Sequence, residues 1–122
     1  MTEIYRTTVT AAGAEATAFI SEGMFVTFGP DAPQALQDFC FIVEQNATAA
    51  PIAPGQTLVL DGRRYPVTAV GDVATKNLDA MGHVTFKFDG VTTASMHGSV
   101  HVAGSDVPPS LDVGSTIVIE AS

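Results

Sequence analysis

The stretch that decides the fold is Thr57–Gly90, which reads TLVLDGRRYPVTAVGDVATKNLDAMGHVTFKFDG. Its first half contains two segments rich in β-branched, aromatic and other apolar residues, Thr57–Leu60 and Tyr65–Val70. The pair Asp61-Gly62 between them is a strong short-range signal for a tight turn, because both residue types tolerate a positive φ. This half of the stretch therefore predicts a β-hairpin.

The second half predicts a short helix followed by a strand. Residues Asp72–Met81 are typical of a helix, with Asp72 as the expected N-cap and Gly82 as the expected stop. His83–Phe88 then alternates apolar and polar residues, as a strand with one buried face does. A hairpin, a helical crossover and another strand thus occupy about a quarter of the chain.

The rest of the chain shows mainly strand patterns separated by turn residues. Five further strands and two short helical segments are predicted: strands at Ile4–Thr10, Met24–Phe28, Phe39–Glu44, Ser99–Ala103 and Ser115–Glu120, and helical turns within Ala11–Gly23 and Pro33–Asp38. Eight short strands with few helical residues are typical of all-β folds. We therefore expect residues 1–122 to form one all-β domain, a barrel or sandwich with one or two short helical insertions.

Composition excludes several functional classes. The 122 residues carry a formal net charge of −8, from 13 acidic and 5 basic side chains. Nucleic-acid and anionic-membrane binding need clustered Lys and Arg, so neither is expected. A single cysteine cannot form an internal disulfide, and the first residues lack the pattern of a signal peptide. No stretch approaches the ~18 apolar residues of a membrane span, so we expect a cytoplasmic protein.

Three histidines, His83, His97 and His101, are the candidate chemical groups. Imidazole is a common metal ligand and a nucleophile or base near neutral pH. A metal site built on His97 and His101 would need a third ligand such as Asp89 or Asp106. The alternative is that these histidines make ordinary hydrogen bonds in strands and loops. No phosphate-binding or dinucleotide-binding fingerprint occurs, and we predict neither a cofactor nor a bound metal.

Two other features have a structural and a chemical interpretation. Cys40 lies between apolar residues, which favours a core cysteine over a reactive thiolate. Arg63-Arg64 follows the hairpin turn, where the pair is either a solvated tip or a contact for an anion. We favour the structural interpretation of both features.

Five segments of the chain resemble one protein family in order and spacing. They are IYRTTVT near the start, DFCFI in the middle, and then RYPVTAVG, GHVTFKFDG and SVHVAG. Together they resemble the glucitol/sorbitol-specific enzyme IIA component of the bacterial phosphoenolpyruvate-dependent sugar phosphotransferase system (PTS). The resemblance implies a small cytoplasmic β-rich phosphocarrier. Such a carrier takes a phosphoryl group from the phosphocarrier protein HPr and passes it to the IIB part of a IIB/IIC sugar permease.

The resemblance places the phosphoryl-accepting histidine directly after the Cys-Phe-Ile run, which is residues 40–42 in this chain. Here the next residue is Val43, which has no nucleophile. Three alternatives follow. Another histidine could serve, with His83 or His101 as the substitute. The chain could instead be a non-phosphorylatable binding or regulatory module of the same fold. In the third, Glu44 takes an acyl phosphate, although strand alternation turns its side chain to the opposite face from Val43.

The partners implied are HPr and the sugar permease. An acidic surface is compatible with docking to a basic phosphocarrier, because opposite charge raises the encounter rate. A homodimer formed through open barrel edges is a further expectation.

Overall fold

A computed structural model describes residues 2–104 and 108–121. Its eight strands form a closed barrel in the order β1-β3-β2-β6-β7-β5-β4-β8. The strands are β1 (Thr2–Ala12), β2 (Met24–Phe28), β3 (Phe41–Val43), β4 (Thr57–Leu60), β5 (Arg63–Val70), β6 (Val84–Lys87), β7 (Ser99–Val102) and β8 (Thr116–Ala121). Two helices, α1 (Gln34–Gln37) and α2 (Ala74–Met81), and a 3₁₀ turn at Ile20–Glu22 complete the regular structure. The predicted all-β class and the barrel alternative are confirmed.

Strand β1 closes the barrel because it pairs with two different strands. Its first part pairs with β8 and its last part with β3, both antiparallel. Register irregularities between Glu3 and Tyr5 and between Val9 and Ala11 bend it between these partners. Each of the eight described strands therefore has a neighbour on both sides. The expectation of open edges for a homodimer was wrong for this part of the chain.

The predicted hairpin is confirmed. Leu60 and Arg63 form the last pair of β4 and β5 before the turn. Between them Asp61 and Gly62 have φ values of 50° and 86°. Two consecutive positive φ angles match the twist of the flanking strands, which is why Asp-Gly is favoured here.

Helix α2 ends where the sequence predicts but begins two residues later. The cap residue is Val73, and no side chain caps the helix. The prediction of Asp72 as the N-cap was therefore wrong, because its carboxylate is engaged elsewhere. Gly82 ends the helix with φ 67°, and the next residue, His83, donates its backbone N–H to Asn77 O at 3.4 Å. His83 consequently belongs to the helix cap and not to β6.

Two other segments differ from expectation. The Ala-rich Ala11–Gly23 segment is mostly turns, and its predicted helical turn is the short 3₁₀ turn Ile20–Glu22, which ends at Gly23. The rest of the segment is held by its neighbours: Gly13 N–H donates to Cys40 O and Glu15 N–H to Asp38 O. The strand predicted over Phe39–Glu44 is shorter, since Phe39 and Cys40 still bond to carbonyls of the α1 turn.

The chain segments that carry the candidate site residues meet at one end of the barrel, which we call the α2 end. Strand β3 is parallel to β2, β2 is antiparallel to β6, and β6 is parallel to β7. Strand β3 therefore ends where β6 and β7 begin, and α2 connects β5 to β6 at the same end. Val43, His83 and the loop before β7 all lie there.

The core is built around a cluster of phenylalanines. Phe25, Phe41 and Phe86 are each fully buried. The Phe25 ring lies 5.1 Å from that of Phe86 and 6.0 Å from that of Phe41, the latter edge-to-face. Such geometries are favourable beyond the area they bury.

Two separate features of the backbone require a glycine at position 82. Its φ is positive, and a Cβ there would lie 2.8 Å from Gly29 N. Gly82→Ala is expected to lower the free energy of unfolding by more than the ~1–2 kcal/mol of left-handed strain alone. Urea denaturation measures this cost, with Gly114→Ala as the control. Gly114 has φ 96° and open space around it. Equal costs for the two variants would contradict the close packing of Gly82.

Candidate functional site

Val43, the position at which the resemblance places the acceptor, is part of the core. It is the last residue of β3, it has no exposed surface, and it pairs with Val9 of β1. The next residue, Glu44, is exposed and donates its backbone N–H to Thr8 O at 3.2 Å. Position 43 therefore contributes packing, and Glu44 faces away from it as alternation predicts.

The space beside Val43 is closed by the C-terminal end of α2. Phe28 pairs with Ile42, so the residue aligned with Val43 on the neighbouring chain segment is Gly29. Gly29 donates its N–H to Met81 O at 2.7 Å. The Gln45 amide donates to the carbonyl of Asp79 at 2.7 Å, which holds the chain after β3 against the helix.

His83 lies next to this region with its ring held in one orientation. Its Nδ1 is 3.0 Å from Thr27 O, and its ring stacks on Phe28 with centroids 4.4 Å apart. A carbonyl oxygen can only accept, so in the neutral ring the proton is on Nδ1 and the lone pair is on Nε2. Within the described residues nothing hydrogen-bonds Nε2. His83 is half-buried and keeps a nucleophilic nitrogen uncommitted.

The pocket beside His83, the His83 pocket, is apolar. It has a volume of about 310 Å³ and is lined by Phe19, Val26, Leu36, Phe39, Cys40 and His83. Leu36 and Phe39 are 44% and 43% exposed, so two of the lining side chains are large, apolar and accessible. Burial raises the pKa of the Cys40 thiol. Cys40 is therefore a neutral core residue, as the sequence indicated.

The chain segment that forms most of the His83 pocket carries acidic side chains and no basic ones. No Lys or Arg occurs between Arg6 and Arg63. Four exposed carboxylates lie in the segment that forms the pocket: Glu15, Glu22, Asp31 and Asp38. On the hairpin, Arg64 donates to Glu120 at 2.7 Å, which supports a structural role for that arginine. The segment that supplies five of the six residues lining the His83 pocket is therefore acidic.

His101, the other predicted substitute, is fully buried. Its Nδ1 donates to Asp89 Oδ1 at 2.8 Å, and its Nε2 accepts the backbone N–H of Ser95 at 3.2 Å. Ser99 Oγ lies 3.0 Å from Nε2 but donates to Met96 O. The contacts trace a serine–histidine–aspartate chain, yet both ring nitrogens are occupied and no surface is exposed. His101 therefore offers a phosphoryl donor neither a free ring nitrogen nor an exposed face.

The hydrogen bond from His101 affects the pKa of the Asp89 carboxylate. Partial burial by itself would raise the pKa of Asp89, but the hydrogen bonds from His101 and from the Val91 N–H outweigh it and lower the pKa. Asp89 therefore stays ionised and holds the buried imidazole in one tautomer.

His97 and His101 do not form a common cluster. His97 lies in the loop before β7, where its Nδ1 is 2.7 Å from Asp72 Oδ1 and both side chains are exposed. Among residues 2–104 and 108–121 there is no group of three or more metal-ligating side chains. Asp106, the other expected metal ligand, lies outside the described residues. Sequence reasoning missed Asp72 as the partner of His97, because 25 positions separate them and no local pattern links them.

No helix in the described part of the chain is long and apolar enough to span a membrane. What the geometry defines is a closed eight-stranded barrel with a short helix and an oriented histidine at one end.

Comparisons with known proteins give the family. A family profile described as PTS system glucitol/sorbitol-specific IIA component matches residues 4–118. The chain is 46% identical over 121 residues to the PTS system glucitol/sorbitol-specific EIIA component of Shigella flexneri, covering 99% of this chain and 98% of that protein. The corresponding Escherichia coli K12 protein is 45% identical with the same coverage.

A solved structure shows the same fold. The crystal structure of a PTS system IIA component from Enterococcus faecalis V583 has a TM-score of 0.79 and 25% identity, covering 96% of this chain and all of that one. The chain belongs to the glucitol/sorbitol-specific IIA component family of the phosphotransferase system.

Proposed function

We propose that residues 1–122 act as one cytoplasmic IIA-type domain, which relays phosphoryl groups from HPr to a IIB domain for sorbitol or a related polyol, and that His83 is the acceptor. The observation that carries this proposal is the orientation of His83. Thr27 O fixes the Nδ1 proton, so the Nε2 lone pair is available in a half-buried position. Val43, the position given by the resemblance, has no such group.

The transfer is a nucleophilic substitution at phosphorus. Nε2 of neutral His83 forms the new N–P bond as the N–P bond of the HPr phosphohistidine breaks. The donor imidazole leaves with the electron pair of that bond and takes up a proton. The Nδ1 proton stays on His83 and remains hydrogen-bonded to Thr27 O. This hydrogen bond stabilises the positive charge that develops on the ring. In transfer to the IIB domain, a nucleophile of that domain forms a bond to phosphorus as the N–P bond of His83 breaks, and the His83 ring leaves with the electron pair.

The His83 pocket supports docking of HPr beside this nitrogen. Exposed Leu36 and Phe39 provide an apolar centre, and the segment that carries them is acidic, with no Lys or Arg between Arg6 and Arg63. A partner with an apolar centre and basic rim fits such a surface, and opposite charges raise its association rate. Docking would also exclude water from the phosphohistidine.

A second candidate function is a non-phosphorylatable binding or regulatory module of the same fold. The observation that favours it is Val43, whose side chain fills the core where an acceptor is expected. Such a module would use the His83 pocket to hold a phosphotransferase partner without receiving a phosphoryl group.

The deciding experiment is phosphorylation by phosphoenolpyruvate, enzyme I and HPr, read by intact mass. The E. coli relative is the positive control for the donor system. We expect one acid-labile, base-stable phosphate on the wild-type chain, and its loss in His83→Gln. Unchanged HPr-dependent labelling of His83→Gln would disprove His83 as the acceptor. No label on the wild type, with the relative labelled, would establish the module instead.

A further inference from the structure

A second histidine at the α2 end is also held by a hydrogen bond at one ring nitrogen. His97 Nδ1 lies 2.7 Å from a carboxylate oxygen of Asp72, and the His97 side chain is 82% exposed. We propose that His97 and Asp72 form a second phosphoryl-accepting site, with His97 Nε2 as the reacting atom and Asp72 as the positioning residue. This second site rests on the proposed function in one respect only, which is that its natural donor is a protein phosphohistidine.

The backbone holds the two residues together independently of their side chains. Val73 N–H donates to His97 O at 3.1 Å, and Gly71 N–H donates to Ser99 O at 2.7 Å. Asp72 is therefore flanked on both sides by backbone hydrogen bonds to the His97 segment. Gly71 permits this approach, because a Cβ there would overlap the His97 carbonyl.

Asp72 determines which ring nitrogen can react. The carboxylate accepts the Nδ1 proton, so the lone pair of the neutral ring is on Nε2. When Nε2 gains a phosphoryl group, the ring becomes more positive and the charge-assisted bond to Asp72 strengthens. The carboxylate therefore favours the phosphorylated state over the free one.

An adjoining cavity offers room for the phosphoryl oxygens. It has a volume of about 320 Å³ and is lined by Asp72, His97 and the residues Val70, Gly71 and 93–96. Thr93 and Ser95 place hydroxyl-bearing residues along its wall. Hydroxyl groups donate to phosphoryl oxygens, and phosphoryl transfer depends mainly on such positioning.

The chemical step balances without any further reactant. The Nε2 lone pair forms a bond to phosphorus, and the P–N bond of the donor breaks. The leaving nitrogen keeps the electron pair and is released as an amine or imidazole, protonated by the donor or by water. Throughout the step, the Nδ1 proton stays on His97 and remains hydrogen-bonded to Asp72.

The two histidines lie in different surroundings. Asp72 precedes α2 and His83 follows it, and a helix of eight residues is about 12 Å long. The His97 site is polar and open, whereas the His83 pocket is apolar and half-buried.

Phosphoramidate tests the proposal because this small N–P donor needs no docking surface. We expect phosphopeptide mapping to find phosphate on His97. Asp72→Asn should slow labelling of His97 about tenfold, as loss of a charge-assisted hydrogen bond implies, and leave labelling of His83 unchanged. Asp112→Asn, an exposed aspartate with no histidine partner in the described structure, is the matched control.

Nitrogen-15 NMR of the imidazoles adds a readout that a purely structural role would not change. In the wild type the His97 proton should be on Nδ1, and in Asp72→Asn it should move to Nε2. Absence of phosphate on His97, or equal labelling rates in wild type and Asp72→Asn, would overturn the proposal. Because HPr is not used, this result is independent of the assay for His83.

Discussion

Val43→His is expected to create a phosphoryl acceptor that works even when His83 is replaced by glutamine. The resemblance to the family places the acceptor at this position, which is the last residue of β3 at the α2 end of the barrel. The Val43 side chain is buried, so the larger imidazole must extend past it to the surface at this end to meet HPr. In the double variant Val43→His/His83→Gln, the HPr-dependent label should therefore return and map to residue 43.

The same substitution should destabilise the fold. Val43 is fully buried, and Gly29, the residue aligned with it, is hydrogen-bonded to Met81 at the end of α2. A larger, polar ring there should cost ~1–3 kcal/mol of unfolding free energy. Val43→Leu, which adds volume without a nucleophile, is the control for stability and for labelling. Failure of the folded double variant to take up phosphate would show that more than the acceptor has been lost.

Phe25→Ala is expected to give the largest loss of stability of any single truncation considered for this barrel, ~3–5 kcal/mol. The Phe25 ring lies within 6.1 Å of the rings of Phe41, Phe86 and Phe88, so its removal leaves a cavity among groups that the closed barrel holds in place. Collapse of the cavity would require several strands to move together.

Phe39→Ala provides the comparison, because the same atoms are removed from a ring that is 43% exposed. Its expected cost is about 1 kcal/mol. Urea denaturation of both variants measures the difference. A loss below 2 kcal/mol for Phe25→Ala would mean that the phenylalanine cluster is not the centre of the core. Phe39→Ala should also weaken HPr binding if the His83 pocket is the docking surface.

Much of the fold could be predicted because its signals are local. Asp61-Gly62 specifies its turn through φ, and alternation identifies β6. The Ala-rich segment before β2 could not be predicted, since hydrogen bonds to Cys40 and Asp38 determine its shape and these residues are distant in sequence. The sequence could not distinguish a barrel from a sandwich for the same reason, because barrel closure depends on which strands β1 pairs with.

The candidate site was less accessible to prediction than the fold. Sequence alone gave the three histidines and the absence of a nucleophile at Val43. It could not distinguish the histidines, because Thr27, Asp72 and Asp89 orient them from 56, 25 and 12 positions away. Burial separates them: His101 is enclosed, while His83 and His97 are at least partly exposed.

The pairing of β1 with β8 also bears on how the chain folds. Thr2 is opposite Ala121, so the contact that closes the barrel joins residues separated by almost the entire chain. Closing so long a loop costs conformational entropy before any packing energy is recovered. Barrels dominated by such distant contacts fold in milliseconds to seconds, more slowly than helical bundles. During synthesis, β1 must wait for β8 to emerge before that side of the barrel can form.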